Sequence, residues 1–389
     1  MDRPSAFRDG LAGLLAPCSL DTFFSQYWEK APLHVTGSAD FTGLISAARI
    51  DALVSSQVFH GETLSMARSE PRLGPEAYLG ESGQADRGLV VRAYQQGATL
   101  ILPQLDRREA PLAELCRVLE AELGHPLQTN IYLTPPTAQG FQTHYDTHDV
   151  FILQVEGAKR WRLYDAPAGT VFRGEKFQPG QVDAGDVTAE FVLTPGDVLY
   201  VPRGLMHDAV NEGEGEASLH ITAGVLARTW ADFLLEAVSE VAIKSPQLRA
   251  TLPAHITSPN PNMAELRSVF DEALDGLKRD ADLEAVAGLF ADQFTSTRPP
   301  QTQGGLLSLV ENAIIRRRDL TPMYLVEDGD HVALVAPGGP VSFDPPAEPA
   351  LEKFIAGEPV SAADFSALGE NKSRDSIARL IAFGLAVAI

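Results

Sequence analysis

The stretch GDVLYVPRGLMHDAVN, at residues 196–211, has the spacing G-x5-P-x-G-x2-H-x3-N. Its first glycine and aspartate favour a turn, and the apolar run Val198–Val201 is typical of a buried strand. Pro202 and Gly204 then favour a second turn. This order of turn, strand and turn presents His207 to the interior of a β-barrel, which makes its imidazole a candidate ligand.

A second candidate group lies upstream, at His144-Tyr145-Asp146. On a strand, residues two apart point to the same face, so the imidazole of His144 and the carboxylate of Asp146 converge. The downstream stretch has the spacing of the second motif of cupin barrels. Two imidazoles and one carboxylate form the facial triad of non-haem Fe(II) oxygenases, which leaves open positions for a co-substrate and O2. We therefore predict that His144, Asp146 and His207 bind one Fe(II).

The sequence pattern around these motifs changes along the chain. Residues 98–225 contain short apolar runs separated by Gly, Pro and Asp, which predict a sandwich or barrel. Residues 1–95 are typical of helical segments with loops. From Trp230 onward, apolar residues recur at helical spacing, and a second such helix is predicted over residues 266–277. Residues 295–305 are rich in Pro, Gly, Ser, Thr and Gln and predict a linker.

The C-terminal part, from about residue 306, predicts a module of winged-helix type. We expect a helix ending at 316–318, then a hairpin of 323–326 and 331–335 around an Asp-Gly turn, then two further helices. Residues 301–389 carry 7 Lys or Arg against 12 Asp or Glu. This acidic balance argues against DNA binding and favours packing or partner docking.

Composition limits the class of protein and of partner. The 389 residues are 44% hydrophobic and 21% charged, which is typical of a globular chain of two or three domains. No apolar run is long enough to span a bilayer and the N-terminus has no signal pattern, so we expect a soluble, cytoplasmic protein. The two isolated cysteines, Cys18 and Cys116, exclude a disulfide scaffold and a thiolate zinc site. The formal charge of −21 disfavours nucleic acid and either favours a basic protein partner or only aids solubility.

Longer segments resemble the JmjC-type ribosomal oxygenases, a family of Fe(II)- and 2-oxoglutarate-dependent protein hydroxylases. The resemblance rests on both ligand motifs, on residues 130–136 and 151–164, and on Tyr-Trp-Glu-Lys-x-Pro-Leu at 27–33. It implies an α+β chain built around a double-stranded β-helix, the cupin or jelly-roll barrel of JmjC proteins. The implied parts are an N-terminal helical region (1–95), the catalytic barrel (96–226), a helical dimerisation region (227–298) and a winged-helix-like domain (299–389).

The resemblance also implies residues that bind the co-substrate. Lys159 occupies the position of the cation that pairs with the distal carboxylate of 2-oxoglutarate. Three further residues match positions that contact the co-substrate, although each could equally be a satisfied polar group of the barrel: Asn130, Tyr132 and Thr222. Two more histidines are expected in the cavity wall or the core rather than as ligands: His148 and His220.

The ligand motifs and the resemblance together imply a dimeric hydroxylase that uses Fe(II), 2-oxoglutarate and O2 on an arginine or histidine of a ribosomal protein. Bacterial members of the family hydroxylate an arginine and have Arg at the position of Lys159, whereas Lys there is typical of the histidine hydroxylases. Two alternatives stay open: an oxygenase that acts on a small molecule or on methyl-lysine, and a non-catalytic metal-binding cupin. Asp146 argues against the second, since that class usually presents His-x-His with a Glu.

Overall fold

The computed structural model describes residues 10–165, 169–213, 215–254, 256–308 and 313–389. It divides the chain into two compact units, the first ending at Ala227 and the second spanning Arg228–Ile389. The finer division into four parts stays a prediction. His255, which the sequence leaves unassigned, lies outside the described residues.

The first unit combines short helices with antiparallel strands. Its described α-helices are α1 (Gly10–Leu15), α2 (Leu20–Thr22), α3 (Ala47–Ser56), α4 (Arg87–Gln95) and α5 (Ala110–Leu123). Its strands are β1 (Leu33–Val35), β2 (Ser65–Ala67), β3 (Thr99–Leu102), β4 (Leu127–Thr134), β5 (Asp149–Glu156), β6 (Lys159–Tyr164), β7 (Val187–Leu193), β8 (Val198–Val201), β9 (His207–Val210) and β10 (Ser218–Val225). Local signals set the helix starts: Ser46 caps α3 and Asp86 caps α4 through side-chain oxygens that accept main-chain N–H groups.

The strands form two sheets, and residues from both sheets line a cavity that is described below. The larger sheet has the order β1-β8-β5-β10-β4-β3-β2 and the smaller one the order β7-β6-β9, and every pairing is antiparallel. Side chains from both sheets share one buried cluster, in which Ile152 and Leu199 of the larger sheet meet Trp161 and Leu163 of the smaller one. Two facing antiparallel sheets are the arrangement that the predicted double-stranded β-helix requires.

The N-terminal region contributes strands as well as helices, which the sequence pattern did not predict. Strand β1 pairs with β8, and β2 pairs with β3, so residues before 96 supply both ends of the larger sheet. Each of these strands has only three residues, too few for a period-2 pattern to be recognised.

The second unit begins with helices α6 (Trp230–Lys244), α7 (Met263–Asp280) and α8 (Leu283–Ser296). Strands β11 (Ile315–Arg317), β12 (Tyr324–Asp328), β13 (His331–Ala336), β14 (Gly339–Phe343) and β15 (Ala386–Ala388) follow, with helices α9 (Glu348–Ile355) and α10 (Glu370–Ala382) before the last strand. The predicted hairpin corresponds to β12 and β13, which pair around Gly329. Strands β12, β13 and β14 form one sheet, and β11 pairs with β15.

Two details of the second unit correct the sequence prediction. The expected helix ending at 316–318 is wrong, because Ile315–Arg317 is a strand whose partners are Ala386–Ala388. Helix α8 lies within the predicted helical region 227–298, although the sequence pattern did not delimit it, and it extends to Ser296, inside the predicted linker. Long-range pairing overrides local preference in the first case. Among the described residues, no helix has the length and apolar character needed to cross a bilayer.

Candidate metal centre

Three side chains with metal-binding atoms meet at the wall of the cavity. His144, Asp146 and His207 each offer one ligand atom, and these atoms lie within 4.8 Å of one another. Nε2 of His144 is 4.0 Å from Oδ1 of Asp146, and Nε2 of His207 is 3.8 Å from Oδ2 of the same carboxylate. Within the described parts of the chain, this is the one group of its kind.

The main chain brings the two histidines together, although not through a regular strand as predicted for His144. His144 and His207 form a single antiparallel bridge, in which the N–H of His207 donates to the carbonyl of His144 at 2.7 Å and the reverse bond is 3.0 Å. Strand β9 begins at His207, whereas residues 145–148 are irregular. The side chains of His144 and Asp146 therefore converge as predicted, although the two residues do not belong to a regular strand.

Both imidazoles are oriented by main-chain carbonyls. Nδ1 of His144 lies 2.9 Å from the carbonyl of Gln142, and Nδ1 of His207 lies 2.9 Å from the carbonyl of Leu205. A ring nitrogen that donates to a carbonyl fixes the tautomer, so that the other nitrogen keeps its lone pair. Nε2 of each ring is the atom that faces Asp146.

The protonation states also fit a divalent metal. Burial, reinforced by the charge of His144, lowers the pKa of His207 to about 4, against the opposing effect of Asp146. Burial by itself would raise the pKa of Asp146, but His207, His144 and His148 outweigh it and the pKa is lowered. His207 therefore keeps a free lone pair at neutral pH while Asp146 is ionised, as a metal ligand must be.

Gly204 holds Asp146 in place and explains one glycine of the downstream motif. Its N–H donates to the carbonyl of Asp146 at 2.9 Å. Its φ is +82°, and a Cβ at this position would lie 2.0 Å from the carbonyl oxygen of Gly169. A left-handed conformation with no space for a side chain leaves glycine as the residue that fits.

A buried ionic network anchors the segments next to the ligands and explains the Tyr-Trp-Glu-Lys-x-Pro-Leu motif. Asp149 is fully buried and accepts from Arg203 at 2.8 Å and from the hydroxyl of Tyr200 at 2.8 Å. Arg203 also pairs with Glu29 at 2.6 Å, and the N–H of Glu29 donates to Tyr200 at 2.8 Å. The network thereby joins the N-terminal motif to the start of β5, which follows Asp146 in the sequence, and to β8, which precedes His207.

The cavity has a volume of about 230 Å³ and contains a buried amine. Lys159 is 5% exposed, and its Nζ donates to Oγ1 of Thr134 at 3.0 Å. It forms no ion pair with any described carboxylate, and burial lowers its pKa to about 7. A buried amine with one hydrogen bond and no counter-ion suits an anionic ligand. Lys159 lines the same cavity as the three candidate ligands.

Aromatic and hydroxyl side chains form the rest of the polar wall. Tyr132 stacks on His220 with ring centroids 4.8 Å apart, and Trp161 meets His220 edge-on at 5.5 Å. Nδ1 of His220 and Nε1 of Trp161 are buried with no hydrogen-bond partner in the described structure. Burial raises the pKa of Tyr132 and, with Lys159 nearby, lowers the pKa of His220, so both are uncharged. Thr222 also lines the cavity.

Two expected wall residues lie elsewhere. The side chain of Asn130 lies close enough to Tyr132 to lower its pKa and accepts from the N–H of Gln104 at 3.2 Å, but Asn130 is not among the lining residues. His148 is also outside the lining and packs on Gly224, where a Cβ would lie 2.5 Å from its ring. His148 does not continue a strand from His144 and Asp146, because residues 147 and 148 form a bend, and its ring lies away from the cavity wall.

Sequence reasoning missed the partners of Lys159. Thr134 accepts from Lys159 and from Oγ1 of Thr99 at 3.2 Å, and both threonines are buried. A signal was present: Thr134 lies two residues after Tyr132 on β4, hence on the same strand face.

A second, more open cavity of about 480 Å³ adjoins the first, with which it shares Gly140, Phe141 and His144. Its wall includes two guanidinium groups, from Arg68 and Arg72. Its other lining residues are apolar or uncharged: Met66, Ala67, Ser69, Leu73, Gln142, Phe177 and Pro179.

Comparison with known proteins agrees with this geometry. Residues 104–233 match the model of the JmjC domain. The chain is 35% identical over 254 residues to the bifunctional lysine-specific demethylase and histidyl-hydroxylase NO66 of Drosophila persimilis, covering 63% of this chain and 36% of that protein. It is 34% identical over 238 residues to ribosomal oxygenase 1 of Homo sapiens, covering 60% and 36%. The chain spans about a quarter to a half of the first curated relatives that it matches.

Solved structures show the same fold. The Escherichia coli ribosomal oxygenase YcfD superposes with a TM-score of 0.54 at 21% identity, covering 95% of this chain and 98% of YcfD. The structure of YcfD in complex with cobalt and 2-oxoglutarate superposes with a TM-score of 0.52 at 20% identity, covering 95% of this chain and 97% of YcfD. The predicted α+β class with a cupin barrel is thereby confirmed.

One relative matches over most of both chains. Ribosomal oxygenase 2 of Bos taurus is 30% identical over 347 residues, covering 87% of this chain and 69% of the bovine protein. The chain therefore belongs to the JmjC-domain ribosomal oxygenase family.

Proposed function

We propose that this protein is an Fe(II)- and 2-oxoglutarate-dependent oxygenase that hydroxylates a side chain of a ribosomal protein. One observation carries the proposal: a cluster of two histidines and one aspartate shares a small cavity with a buried lysine that pairs with no carboxylate among the described residues. The first group suits a metal with open positions, and the second suits the far end of a dicarboxylate.

Each residue has a definite part in this mechanism. His144, Asp146 and His207 would hold Fe(II), which together with 2-oxoglutarate and O2 supplies the oxidising chemistry. The ammonium of Lys159 would pair with the distal carboxylate of 2-oxoglutarate, while the hydroxyl of Thr134 keeps the amine oriented. Tyr132 and Thr222 would supply further hydrogen bonds from the cavity wall. Asn130 would act indirectly, from beside Tyr132, while its side-chain oxygen accepts from the N–H of Gln104.

Part of the cavity wall is apolar. Val150, Ile152 and Ala209 form apolar parts of its wall, and the first two are 1% exposed. Such a wall would strengthen the pairing of charges inside the site once the co-substrate is bound.

The outer cavity favours a histidine over an arginine as the target. Among the described residues that line the two cavities, Asp146 is the one carboxylate, and the proposed metal would occupy it. A substrate guanidinium would find no free carboxylate among these lining residues, since the carboxylate of Glu70 lies outside the lining and accepts from Gln142 at 2.9 Å, and it would meet the like charges of Arg68 and Arg72. A neutral imidazole avoids this repulsion. The histidyl-hydroxylase named among the relatives supports this choice.

The tests described below also distinguish the alternative substrates and activities. The NO66 relative is also named a lysine-specific demethylase, so removal of a methyl group from lysine is the second candidate activity. A small-molecule substrate would give turnover without any protein acceptor. A non-catalytic cupin would bind metal and give no turnover.

The first test is formation of succinate from 2-oxoglutarate with Fe(II) and O2. We expect the wild-type protein to form succinate, and H144A and D146A to lose this activity while keeping their circular dichroism spectra. H60A is the matched control, because His60 is an exposed histidine outside both cavities. Full activity in either ligand variant would contradict the assignment.

The acceptor is identified by mass spectrometry of ribosomal proteins from cells with and without the gene. We expect one histidine of one ribosomal protein to carry an added oxygen atom only when the wild-type gene is present. The same modification on an arginine would refute the argument from the outer cavity. Identical spectra from both cell lines would refute the ribosomal substrate.

We also propose a homodimer formed through α6 and α7. Large apolar side chains stand exposed on these helices, with Trp230 80% and Leu235 64% exposed on α6 and Phe270 55% exposed on α7. Light scattering should give roughly twice 41.9 kDa for the wild type, and W230E should shift the mass toward the monomer. V91E, at an exposed valine of the first unit, is the control. A monomeric wild type at high concentration would contradict the proposal.

A ribosomal substrate places the protein where ribosomal proteins are made or assembled, and we propose the cytoplasm. Cell fractionation with detection of the native protein tests this location.

A further inference from the structure

A buried carboxylate beside the metal centre has no part in the proposed chemistry. Asp208 follows His207 on β9 and is 2% exposed. Its Oδ1 accepts from Nε of Arg162 at 2.8 Å. Its Oδ2 accepts from Oγ1 of Thr143 at 2.8 Å and from the hydroxyl of Tyr164 at 2.5 Å. The carboxylate is therefore fully engaged within the protein.

The partners of Asp208 connect the two ligand-bearing segments. Thr143 directly precedes His144, and Asp208 directly follows His207. The two histidines already exchange a pair of main-chain hydrogen bonds. The Thr143–Asp208 bond is a third link between the same segments. On β9, Asp208 points away from the face that His207 presents to the cavity, because successive strand residues alternate.

The central strand of the smaller sheet fixes the carboxylate. Arg162 is the cross-strand partner of Asp208, and Leu163 is the partner of His207. Tyr164, two residues after Arg162 on β6, donates to the second carboxylate oxygen. With these two side chains holding Asp208 from β6, the hydroxyl of Thr143 is the contact that reaches the segment of His144.

We propose that Asp208 is a positioning residue: through Thr143 it fixes the segment of His144 against β9 and so sets the spacing of the two imidazole ligands. The inference rests on the proposed metal centre. It predicts that the affinity of the centre for a divalent metal depends on a hydrogen bond whose groups never touch the metal. Loss of a group that hydrogen-bonds a ligand directly typically weakens metal binding by about 10–100-fold, and we expect the lower end of that range for a bond one residue removed from both imidazoles.

The experiment titrates the purified, full-length protein with Co(II), by calorimetry and by visible absorption. T143V removes only the hydroxyl, T143S retains it, and D208N removes the charge of the carboxylate. E190Q is the matched control for D208N, since Glu190 is a carboxylate of the same sheet that pairs with Arg160 and has no bond to either ligand segment.

We expect T143V and D208N to bind Co(II) about tenfold or more weakly than the wild type, with an altered Co(II) spectrum in T143V. T143S and E190Q should stay within about twofold of the wild type. A purely structural role would lower the melting temperature without changing the spectrum of the loaded site. If D208N does not fold, T143V and T143S decide the question.

The experiment distinguishes failure of the positioning role from failure of the proposed metal centre. Tight Co(II) binding by the wild type, with unchanged affinity and spectrum in T143V, would overturn the positioning role alone. A wild-type protein that does not bind Co(II) would overturn the metal centre and the positioning role with it.

Discussion

The buried amine of Lys159 makes a prediction that links its burial to co-substrate binding. Because the pKa of Lys159 is lowered to about 7, the amine is largely neutral in the free protein above that pH. A bound carboxylate favours the ammonium form and raises the pKa, so binding above pH 7 takes up a proton. The affinity for 2-oxoglutarate should therefore be constant at lower pH and fall as pH rises through 7.

The magnitude follows from the protonated fraction of the amine. Between pH 7 and pH 9 this fraction falls from about one half to about one hundredth, which weakens binding roughly 50-fold, or about 2.3 kcal/mol. K159R should remove this dependence, because a guanidinium stays charged throughout the range. K159M should bind weakly at every pH, with a loss on the order of 3–5 kcal/mol at pH 6.

The assay is calorimetric titration of the Mn(II)-loaded protein with 2-oxoglutarate at several pH values. Buffers of different ionisation enthalpy report the number of protons taken up, which we expect to be close to one at pH 8 for the wild type and near zero for K159R. Comparison with K159R removes the contribution of other titrating groups. Equal dissociation constants for the wild type at pH 7 and pH 9, with no proton uptake, would refute the reasoning.

Three further predictions concern stability. K159M should stabilise the ligand-free protein by about 2–4 kcal/mol at pH 7, because a lysine whose folded pKa is depressed costs stability below its unfolded pKa; an unchanged or lower melting temperature would contradict this. G204A should destabilise by about 2 kcal/mol or more and weaken metal binding, since its Cβ would clash with the carbonyl of Gly169; a wild-type melting curve would show that the turn can relax. Y200F should cost about 1–3 kcal/mol in urea unfolding, since the fully buried Asp149 loses a donor, and a change within error would mean that Arg203 suffices.

The barrel was predictable from sequence where short-range signals act alone. Val198–Val201 is flanked by turn residues on both sides, and the predicted strand has the observed bounds. The hairpin of β12 and β13 is likewise set by a local Asp-Gly turn. Strand β11 was not predictable, because Ile315 owes its extended conformation to Ala388 and to Val360, which are distant in the sequence.

The site shows the same division between local and non-local information. The placement of His144, Asp146 and His207 in one group follows from ligand type and motif spacing, and the structure brings them together. Strand alternation could have placed Thr134 on the face of Tyr132, but not its bond to Lys159, and the contacts of Asp208 were not predictable, because each joins side chains from separate segments of the chain. No pattern within one strand reports such a pairing.

The two short N-terminal strands have a consequence for synthesis and folding of the chain. Leu33 in β1 pairs with Tyr200 in β8. Strand β1 is therefore synthesised long before the strand with which it pairs. Until β8 has emerged from the ribosome, β1 and the apolar residues beside it have no complete sheet to join. Contacts of such long sequence separation slow folding and leave unpaired strand edges exposed in the meantime. We therefore expect β1 to remain unpaired, and open to other contacts, until residue 200 has emerged.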